Sequence, residues 1–359
     1  MIKVLALAPY PYLSADTRYR LCQFIPGLRN AGWELTLRPF MDDELFNIYN
    51  KHGKFAKKVW RTLERTISRF EDCFKAGEFD AVILHKEAFP FGPPVFEKIL
   101  QRNQPRIIYD MDDAFWTHPP QFHQIGNWLR DPKRIQKMIG LSSYVLAGNP
   151  FLADFARQFN PHVSVFPTVL DTNKYLPRQE LDDGMVTIGW VGRWSSESYL
   201  EKLIPVFKVL TEKYSSVRFK FIGTEGVHYE GLHNVNTVPW RLETEVEDIA
   251  SFDIGIMPLP DDIYSQGKCG FKLLQYMALG IPGVASPVGV NVDIISDGKN
   301  GFLASSEQEW IEKLSLLIEN TQLREEIGSS AREKVVIDYS LEKKIPELLE
   351  VLEKVLNPE

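Results

Sequence analysis

Short apolar runs alternate along the chain with longer segments whose apolar residues recur every three or four positions. The apolar runs lie at 3–7, 33–37, 81–84, 106–109, 144–147 and 163–166, and again at 186–191, 217–222, 235–238, 254–257 and 284–285. Fully apolar runs of this length are typical of strands that are buried on both faces. Strands that alternate with helices pair in parallel, so the pattern predicts an α/β fold with doubly wound parallel sheets.

The alternation is interrupted at 167–184, where prolines, acidic residues and Gly184 follow one another closely, as in a linker. A chain of 359 residues is also too long for one ordinary hydrophobic core. We therefore predict two domains and a final helix that packs back toward the first. The predicted divisions are 1–170, 171–337 and 338–359.

Composition narrows the class of protein without changing this picture. The net charge of −7 argues against a general nucleic-acid binder, in which basic residues dominate. The spacing of Cys22, Cys73 and Cys269 is not that of a metal site, so we expect neither a metal site nor a disulfide framework. Three scattered cysteines also suit a reducing compartment, and we expect a cytoplasmic location. No apolar run is long enough to span a bilayer, and the N-terminal run predicts a first strand and not a signal peptide.

The stretch 253–287 reads as strand, loop, helix and strand, with the helix predicted from about Cys269 to Leu279. On such a helix Lys268, Lys272 and Gln275 would share one face near the N-terminus. A helix start with two lysines suits an anion, most plausibly a phosphate. A solvated lysine face on a core helix explains the spacing equally well.

Polar residues follow three strands of the first half, at the sheet edge where open α/β sheets bind ligands. The first strand turn has no glycine, which argues against a dinucleotide fingerprint. Its Arg18 and Arg20 either contact a ligand or are solvated residues behind a helix cap. Acidic residues at 110, 112 and 113 could chelate a metal with a diphosphate, but without other ligands we expect turn capping or contacts with a hydroxyl substrate.

A predicted helix at 54–77 begins in a basic segment. Between Lys51 and Arg69 there are seven Lys or Arg and one acidic residue, Glu64, while apolar residues trace the opposite stripe. Against an acidic whole, the basic side predicts either contact with anionic lipid or a solvated outer face, and the second is the commoner case.

Four segments of the second half resemble, in this order, the C-terminal half of family 4 glycosyltransferases. They are GWVGR, PWRLETEVEDIASFDIGIMPLPDD, GKCGFKLLQYMALGIPGVASPVG and DGKNGFLA. In the first half SADTRYRLCQFIPGLRNAGWE, HKEAFPFGPP and YDMDDAFW resemble a bacterial branch that acts on surface polysaccharides and other glycoconjugates. The resemblance implies the GT-B architecture, with two Rossmann-like domains facing a cleft, and retaining, metal-independent sugar transfer with no cofactor besides the donor.

The resemblance also implies a donor site in the second domain. Arg193 and Lys272 would bind the diphosphate of a UDP- or GDP-sugar with help from Lys268, and Trp240 and Arg241 would lie beside the nucleobase. The family's two glutamates over this helix are replaced here by Gly267 and Gln275, and Ser198 replaces a second basic residue. The expected donor residues are Gly192, Arg193, Trp240, Arg241, Lys268, Cys269, Gly270, Phe271, Lys272 and Gln275.

The first domain is expected to bind the acceptor, a glycan, a lipid-linked sugar or another glycoconjugate. Arg18, Arg20, Lys86 and Trp116 are the expected acceptor ligands, and Glu87, Asp112, Asp113 and His118 the expected catalytic set. In the family's scheme the leaving phosphate oxygen takes the acceptor proton, so a strong protein base is not required. The alternative is a catalytically silent nucleotide-sugar binder, suggested by Gly267 and Gln275.

Overall fold

A computed structural model describes nearly the whole chain, namely residues 1–49, 51, 53–90, 92–117, 131, 133–177, 183–192, 196–224, 229 and 231–358. The chain divides into two compact units. Unit 1 consists of Met1–Val169 and Leu341–Glu359, and unit 2 consists of Leu170–Ser340.

Unit 1 is built around a parallel sheet. Its strands are β1 (Ile2–Ala8), β2 (Trp33–Pro39), β3 (Ala81–His85), β4 (Ile107–Met111), β5 (Tyr144–Ala147) and β6 (Val163–Val165). They lie in the order β2-β1-β3-β4-β5-β6, and every pairing in this sheet is parallel. The order reverses between β1 and β3, and ligands bind open α/β sheets outside the carboxyl ends of strands at such a point.

The helices of unit 1 cover this sheet. They are α1 (Ala15–Arg20), α2 (Ile25–Asn30), α3 (Asp43–Tyr49), α4 (Phe55–Lys75), α5 (Val95–Asn103), α6 (Arg134–Leu141) and α7 (Pro150–Arg157). The apolar runs explain the strands, since β3 and β4 are buried along their whole length. Sequence periodicity predicted one helix across residues 18–30, whereas the structure has α1, a 3₁₀ turn at Cys22–Phe24 and then α2 with Pro26 in its first turn.

Unit 2 repeats the architecture with a different strand order. Its strands are β7 (Val186–Val191), β8 (Val217–Ile222), β9 (Val235–Val238), β10 (Ile254–Met257), β11 (Gly283–Ala285) and β12 (Phe302–Leu303). They are parallel and lie in the order β12-β11-β10-β7-β8-β9, so the reversal falls between β7 and β10. The predicted α/β fold with two doubly wound parallel sheets is confirmed.

The helices of unit 2 pack around a core that includes Trp190, Phe207 and Phe219. They are α8 (Glu197–Glu201), α9 (Ile204–Lys213), α10 (Glu245–Ala250), α11 (Ile263–Gln266), α12 (Phe271–Ala278), α13 (Asn291–Ile294), α14 (Glu307–Glu319) and α15 (Thr321–Asp338). A single helix predicted from Glu197 to Tyr214 is divided into α8 and α9, because Pro205 lies in the first turn of α9 and starts a new helix there.

After unit 2 the chain returns to unit 1 as α16 (Leu341–Leu356), which packs against α2 and β3. Leu348, Val351 and Leu352 are buried, and Ile345 lies against Gly27, where a Cβ would come within 2.3 Å of its Cδ1 atom. Within the described part of the chain, no helix is both long and apolar enough to cross a membrane.

The orientation of helix α4 differs from the one expected for the basic segment, whose basic side was predicted to face lipid or solvent. The structure turns Arg65 and Arg69 toward the body of unit 1, where their guanidinium groups donate to backbone carbonyls. The apolar residues of the opposite stripe, among them Trp60 and Ile67, are exposed instead. Arg65 and Arg69 are therefore not part of a solvated face, whereas Lys51, Lys54 and Lys57 are exposed.

Candidate functional site

Helix α12 begins beside the carboxyl ends of β7 and β10, where the strand order of unit 2 reverses. Gly270 precedes it in the left-handed conformation, with φ of 67°, and a Cβ at this position would lie 2.2 Å from Ile294 Cδ1. Both the backbone angle and the close approach require glycine. The first turn of any helix directs backbone N–H groups outward along its axis, so α12 aims such groups at this sheet edge.

Tyr276 fixes α12 to the two strands. Its hydroxyl accepts a hydrogen bond from Val191 N at 3.2 Å and donates one to Ile256 O at 3.4 Å. Its ring occupies the space above Gly255, where a Cβ would lie 2.3 Å from Tyr276 Cδ2. Burial raises the pKa of Tyr276, so the side chain stays a neutral phenol that can make both bonds.

Lys272 lies in the first turn of α12, and its Nζ atom is 4.9 Å from the ring centroid of Trp190. The prediction that Lys268 shares this helix face is wrong. Because Gly270 ends the preceding loop in a left-handed conformation, Lys268 lies before the helix, and its Nζ donates to Tyr264 Oη at 3.0 Å. The same ammonium group is 4.1 Å from the centroid of the Tyr264 ring. Cys269 and Phe271, beside these lysines, are half-buried.

Gln275 lies deeper than expected. It is 2% exposed, and its Nε2 atom donates to Tyr175 Oη at 3.1 Å and to Glu245 Oε1 at 3.5 Å. Glu245 Oε1 also accepts from Trp240 Nε1 at 3.1 Å. Glu245 and Tyr175 were missed in the sequence, although a half-buried tryptophan commonly has a hydrogen-bond acceptor nearby. The buried carboxylate of Glu245 thus holds Trp240 and Gln275 together, while Arg241 is exposed.

The strand ends of β7 and β8 approach each other closely. Gly192 N donates to Ile222 O at 3.0 Å, and a Cβ on Gly223 would lie 1.9 Å from Gly192 O. Gly223 is also left-handed, with φ of 92°. These glycines therefore serve close backbone packing at the edge. Arg193, the expected diphosphate ligand, lies outside the described residues.

The carboxyl edge of unit 1 carries a buried lysine among acids. Lys86 Nζ is 2.7 Å from Asp16 Oδ2 and 3.3 Å from Asp112 Oδ1, so it joins the start of α1 to the ends of β3 and β4. Burial alone would lower the pKa of Lys86, but Asp112, Asp16 and Asp113 outweigh it and hold the pKa well above its usual value. Burial raises the pKa of Asp112, and Lys86 offsets only part of that effect. Lys86 is thus a permanent cation.

Arg20 is a structural residue and not the surface ligand that was predicted. It is buried, its Nε donates to Asp110 Oδ2 at 3.1 Å, and its Nη1 donates to Phe166 O at 2.8 Å. His85 Nδ1 lies 2.7 Å from the same Asp110 oxygen. The planar guanidinium matches the carboxylate, which explains why Arg20 turns inward.

The remaining predicted residues of unit 1 do not converge on one point. Arg18 donates to Leu13 O at 3.3 Å, and Glu87 Oε2 lies 3.8 Å from Arg134 Nε. Trp116 stacks on Phe155 of α7 with ring centroids 3.6 Å apart. Asp113 is half-buried next to Asp112, and His118 lies outside the described residues. Of the expected catalytic and acceptor residues, the structure brings Lys86, Asp112 and Asp113 together.

Comparison with known proteins shows what unit 2 resembles. Residues 186–320 match the family described as Glycosyl transferases group 1. Most of unit 2 is therefore similar to a group 1 glycosyltransferase domain. The match covers the strand ends of β7 and β10, the Glu245 network and the whole of α12.

Two curated relatives extend this result. The chain is 28% identical over 185 residues to the capsular polysaccharide biosynthesis glycosyltransferase CapM of Staphylococcus aureus, covering 48% of this chain and 47% of that protein. It is 25% identical over 284 residues to the poly(ribitol-phosphate) alpha-N-acetylglucosaminyltransferase of Staphylococcus aureus strain COL, covering 74% of this chain and 53% of that protein. The chain thus spans about half the length of these relatives.

A solved structure shares the fold along the whole chain. It is Anabaena Alr3699/HepE in complex with UDP and glucose, which is 15% identical in sequence and has a TM-score of 0.70. The superposition covers 99% of this chain and 100% of that protein. At this identity the likeness establishes the fold. That fold is the GT-B fold of glycosyltransferases, with two Rossmann-like domains, as the sequence resemblance implied.

Proposed function

We propose that this glycosyltransferase moves a sugar from a nucleoside-diphosphate sugar to a hydroxyl group of a glycan, a lipid-linked sugar or another glycoconjugate. The observation that carries the proposal is the position of Lys272. It stands in the first turn of α12, at the reversal of strand order, with its charge over Trp190 and near the outward N–H groups of the helix. An ammonium group beside a helix N-terminus favours a dianionic diphosphate.

The nucleoside would lie beside Trp240 and Arg241, next to the ends of β7 and β9. Trp240 is held by Glu245, so its indole face is fixed before the ligand binds. Gln275 uses its amide nitrogen inside the protein, and any contact with the ribose would be made through the Glu245 network to which it belongs. The UDP bound by the Anabaena neighbour supports a uridine donor here, with guanosine as the other expected base.

Lys272 and the N-terminus of α12 would also supply the chemistry. As the anomeric C–O bond breaks, negative charge grows on the leaving diphosphate, and cations already fixed in place stabilise it without reorganising. Arg193 remains a proposed diphosphate ligand beside Lys272, and Lys268 a proposed helper. We propose that the acceptor proton passes to the leaving phosphate oxygen, with retention of the anomeric configuration and without a metal ion.

Unit 1 is proposed to bind the acceptor at the carboxyl edge of its sheet. Lys86, Asp112 and Asp113 lie there together, and carboxylates orient sugar hydroxyl groups by accepting their hydrogen bonds. Glu87, Arg18, Trp116 and His118 remain proposals for this side. The names of the two staphylococcal relatives support a polymeric or surface glycoconjugate as acceptor. Cys22, Cys73 and Cys269, all within the described residues, form no disulfide, in keeping with the proposed cytoplasmic location.

A donor screen followed by one substitution tests the proposal. Thermal unfolding is measured with UDP, GDP, ADP and their sugars, and one nucleotide should raise the melting temperature because it binds only the folded state. Lys272→Ala should remove that shift and lower turnover on the order of 100-fold. Lys299→Ala, a change of an exposed lysine in the same unit, is the matched control and should change neither.

Two results would contradict the proposal. An unchanged shift in Lys272→Ala would place the phosphate site elsewhere. Nucleotide binding without turnover, tested for every donor with a mixture of glycan and lipid-linked acceptors, would identify the chain as a silent nucleotide-sugar binder.

A further inference from the structure

Helix α4 exposes a continuous row of large apolar side chains, which we call the α4 stripe. Phe55 is 79% exposed, Trp60 69% and Ile67 64%. Apart from the adjacent Val59 and Trp60, successive members are three or four residues apart, which puts them on one side of the helix. The α4 stripe consists of Phe55, Val59, Trp60, Leu63, Ile67, Phe70 and Phe74.

The polar side of α4 holds the helix in this orientation. Arg69 is 1% exposed, and its Nη2 donates to Ala8 O at 3.1 Å and to Arg38 O at 3.0 Å. Arg65 donates to Phe40 O at 2.9 Å, and Arg61 forms an ion pair with Asp42. Rolling the helix to bury the α4 stripe would break these bonds and leave the buried Arg69 guanidinium without its two carbonyl acceptors. The exposure is thus fixed by the fold.

The charges around the stripe identify its occupant. Residues 51–75 carry eight Lys or Arg and three acidic residues, although the whole chain has a net charge of −7. Lys51, Lys54 and Lys57 are exposed at one end of the helix and Lys75 at the other. An anionic surface complements such ends, whereas a second copy of this chain would bring like charges together.

The shape of the stripe points the same way. It runs along one helix of 21 residues, about 30 Å long, whose apolar side chains project from the surface. Helices that lie in the plane of a membrane present this combination of an aromatic and aliphatic side with lysines at its borders. A ridge of this kind enters the boundary between headgroups and acyl chains along its whole length.

We propose that α4 docks unit 1 on an anionic lipid surface, with the α4 stripe inserted and the terminal lysines on lipid phosphates. The apolar stripe provides the larger share of the binding, and the arginines that sequence reasoning assigned to lipid serve the fold. This docking does not depend on which donor or acceptor the chain uses.

Flotation with vesicles tests the proposal on the full chain. Vesicles of phosphatidylcholine with 30% phosphatidylglycerol should bind the protein, and pure phosphatidylcholine should bind it more weakly. Leu63→Ser with Ile67→Ser should lower the partition coefficient at least about tenfold, because two apolar side chains no longer enter the lipid. Val336→Ser with Ile337→Ser, a pair exposed on α15, is the matched control and should leave binding unchanged.

Two further variants separate the contributions. Lys51→Gln with Lys54→Gln should weaken binding to the anionic vesicles about fivefold per lysine, and leave binding to neutral vesicles unchanged. Brominated lipid quenches the fluorescence of tryptophans that lie in the bilayer. Trp60→Phe should remove this quenched part of the fluorescence, and that loss would place residue 60 in the bilayer. All variants should keep the nucleotide thermal shift of the parent, so failure of docking and failure of the donor site are distinguishable.

Three outcomes would overturn the proposal. The first is a parent protein that does not float with anionic vesicles. The second is unchanged partitioning of the Leu63→Ser, Ile67→Ser variant. The third is lipid-free self-association by analytical ultracentrifugation that this variant abolishes, since the stripe would then be an interface between two copies.

Discussion

In unit 1 the buried cations near the carboxyl edge of the sheet, Arg20 and Lys86, contact carboxylates. In unit 2 the described contacts of Lys268 and Lys272 at the corresponding edge include the rings of Tyr264 and Trp190. A carboxylate neutralises a cation and ties it to the fold, whereas a cation over an aromatic face is attracted by the ring quadrupole. The two sheets thus surround their edge cations differently: carboxylates contact Arg20 and Lys86 in unit 1, and aromatic rings contact Lys268 and Lys272 in unit 2, where we propose donor binding.

The largest effect that separates the two edges is expected from Asp110→Asn. The substitution leaves the Arg20 guanidinium buried without its carboxylate, which should destabilise unit 1 by roughly 3–5 kcal/mol. Hydrogen exchange read by mass spectrometry should localise the loss to unit 1 and leave unit 2 protected. Asp154→Asn, which removes an exposed carboxylate paired with Arg157, should have little effect. Equal protection in both variants would contradict a structural role for Arg20.

Acidification should produce the same loss without a substitution. Burial alone would raise the pKa of Asp110, but Arg20 and the hydrogen bond with His85 outweigh it and hold the pKa below its usual value. Because the folded pKa lies below the unfolded one, the stabilisation is present above about pH 4 and is lost as the pH falls further. The stability difference between the parent and Asp110→Asn should therefore shrink below that pH. A difference that stays constant down to pH 2 would argue against a titrating Asp110.

A smaller effect is expected from Gly270→Ala at the edge of unit 2. The left-handed backbone costs an L-residue roughly 1–2 kcal/mol, and the new Cβ would overlap Ile294. Gly298→Ala is the matched control, because Gly298 has φ of 75° but no atom closer than 3.9 Å to a built Cβ. Gly270→Ala should lose roughly 1–3 kcal/mol more than the control by urea unfolding. It should also lose the nucleotide thermal shift, while equal behaviour of the two would mean that the helix start is not constrained.

The smallest effect concerns Gln275, which replaces a carboxylate expected from the family. Gln275→Glu would place a second acid 3.5 Å from Glu245 Oε1 and remove the donor to both partners, at a cost of roughly 1–3 kcal/mol. Adding Glu245→Gln should restore most of that stability, because one amide again faces one carboxylate. A double-mutant cycle by urea unfolding measures the coupling. Additive effects would show that Glu245 does not determine which residue is tolerated at position 275.

The sequence predicted a large part of the fold. Its apolar runs marked β7, β8 and β9 at their observed bounds. Strand β7 is buried along its whole length and leaves an uninterrupted apolar signature, whereas β8 alternates between buried and half-buried residues. The two-residue strand β12 and the one-turn helices α11 and α13 were missed, since elements so short have no periodicity to detect. The sequence placed Gly270 and Lys272 at a helix start. It did not predict the left-handed turn that excludes Lys268 from that helix.

Partners that are distant in sequence account for the rest of the site. Gln275 and Tyr175 are 100 residues apart, and Arg20 and Asp110 are 90 apart, yet both pairs are hydrogen-bonded in the interior. A polar residue at a strand end or helix start has the same local pattern whether it binds a ligand or a neighbouring side chain. Sequence reasoning therefore offered Arg20 and Gln275 as ligands, and the tertiary contacts revealed their internal partners.

Helix α4 separates the two sources of information most clearly. The sequence by itself determined an amphipathic helix with a basic side and an apolar stripe, because that follows from spacing alone. Only the tertiary structure decided which side faces the protein. Arg65 and Arg69 donate to the carbonyls of Ala8, Arg38 and Phe40 in the body of unit 1. These hydrogen bonds hold the arginine side of α4 inward and leave the apolar stripe exposed.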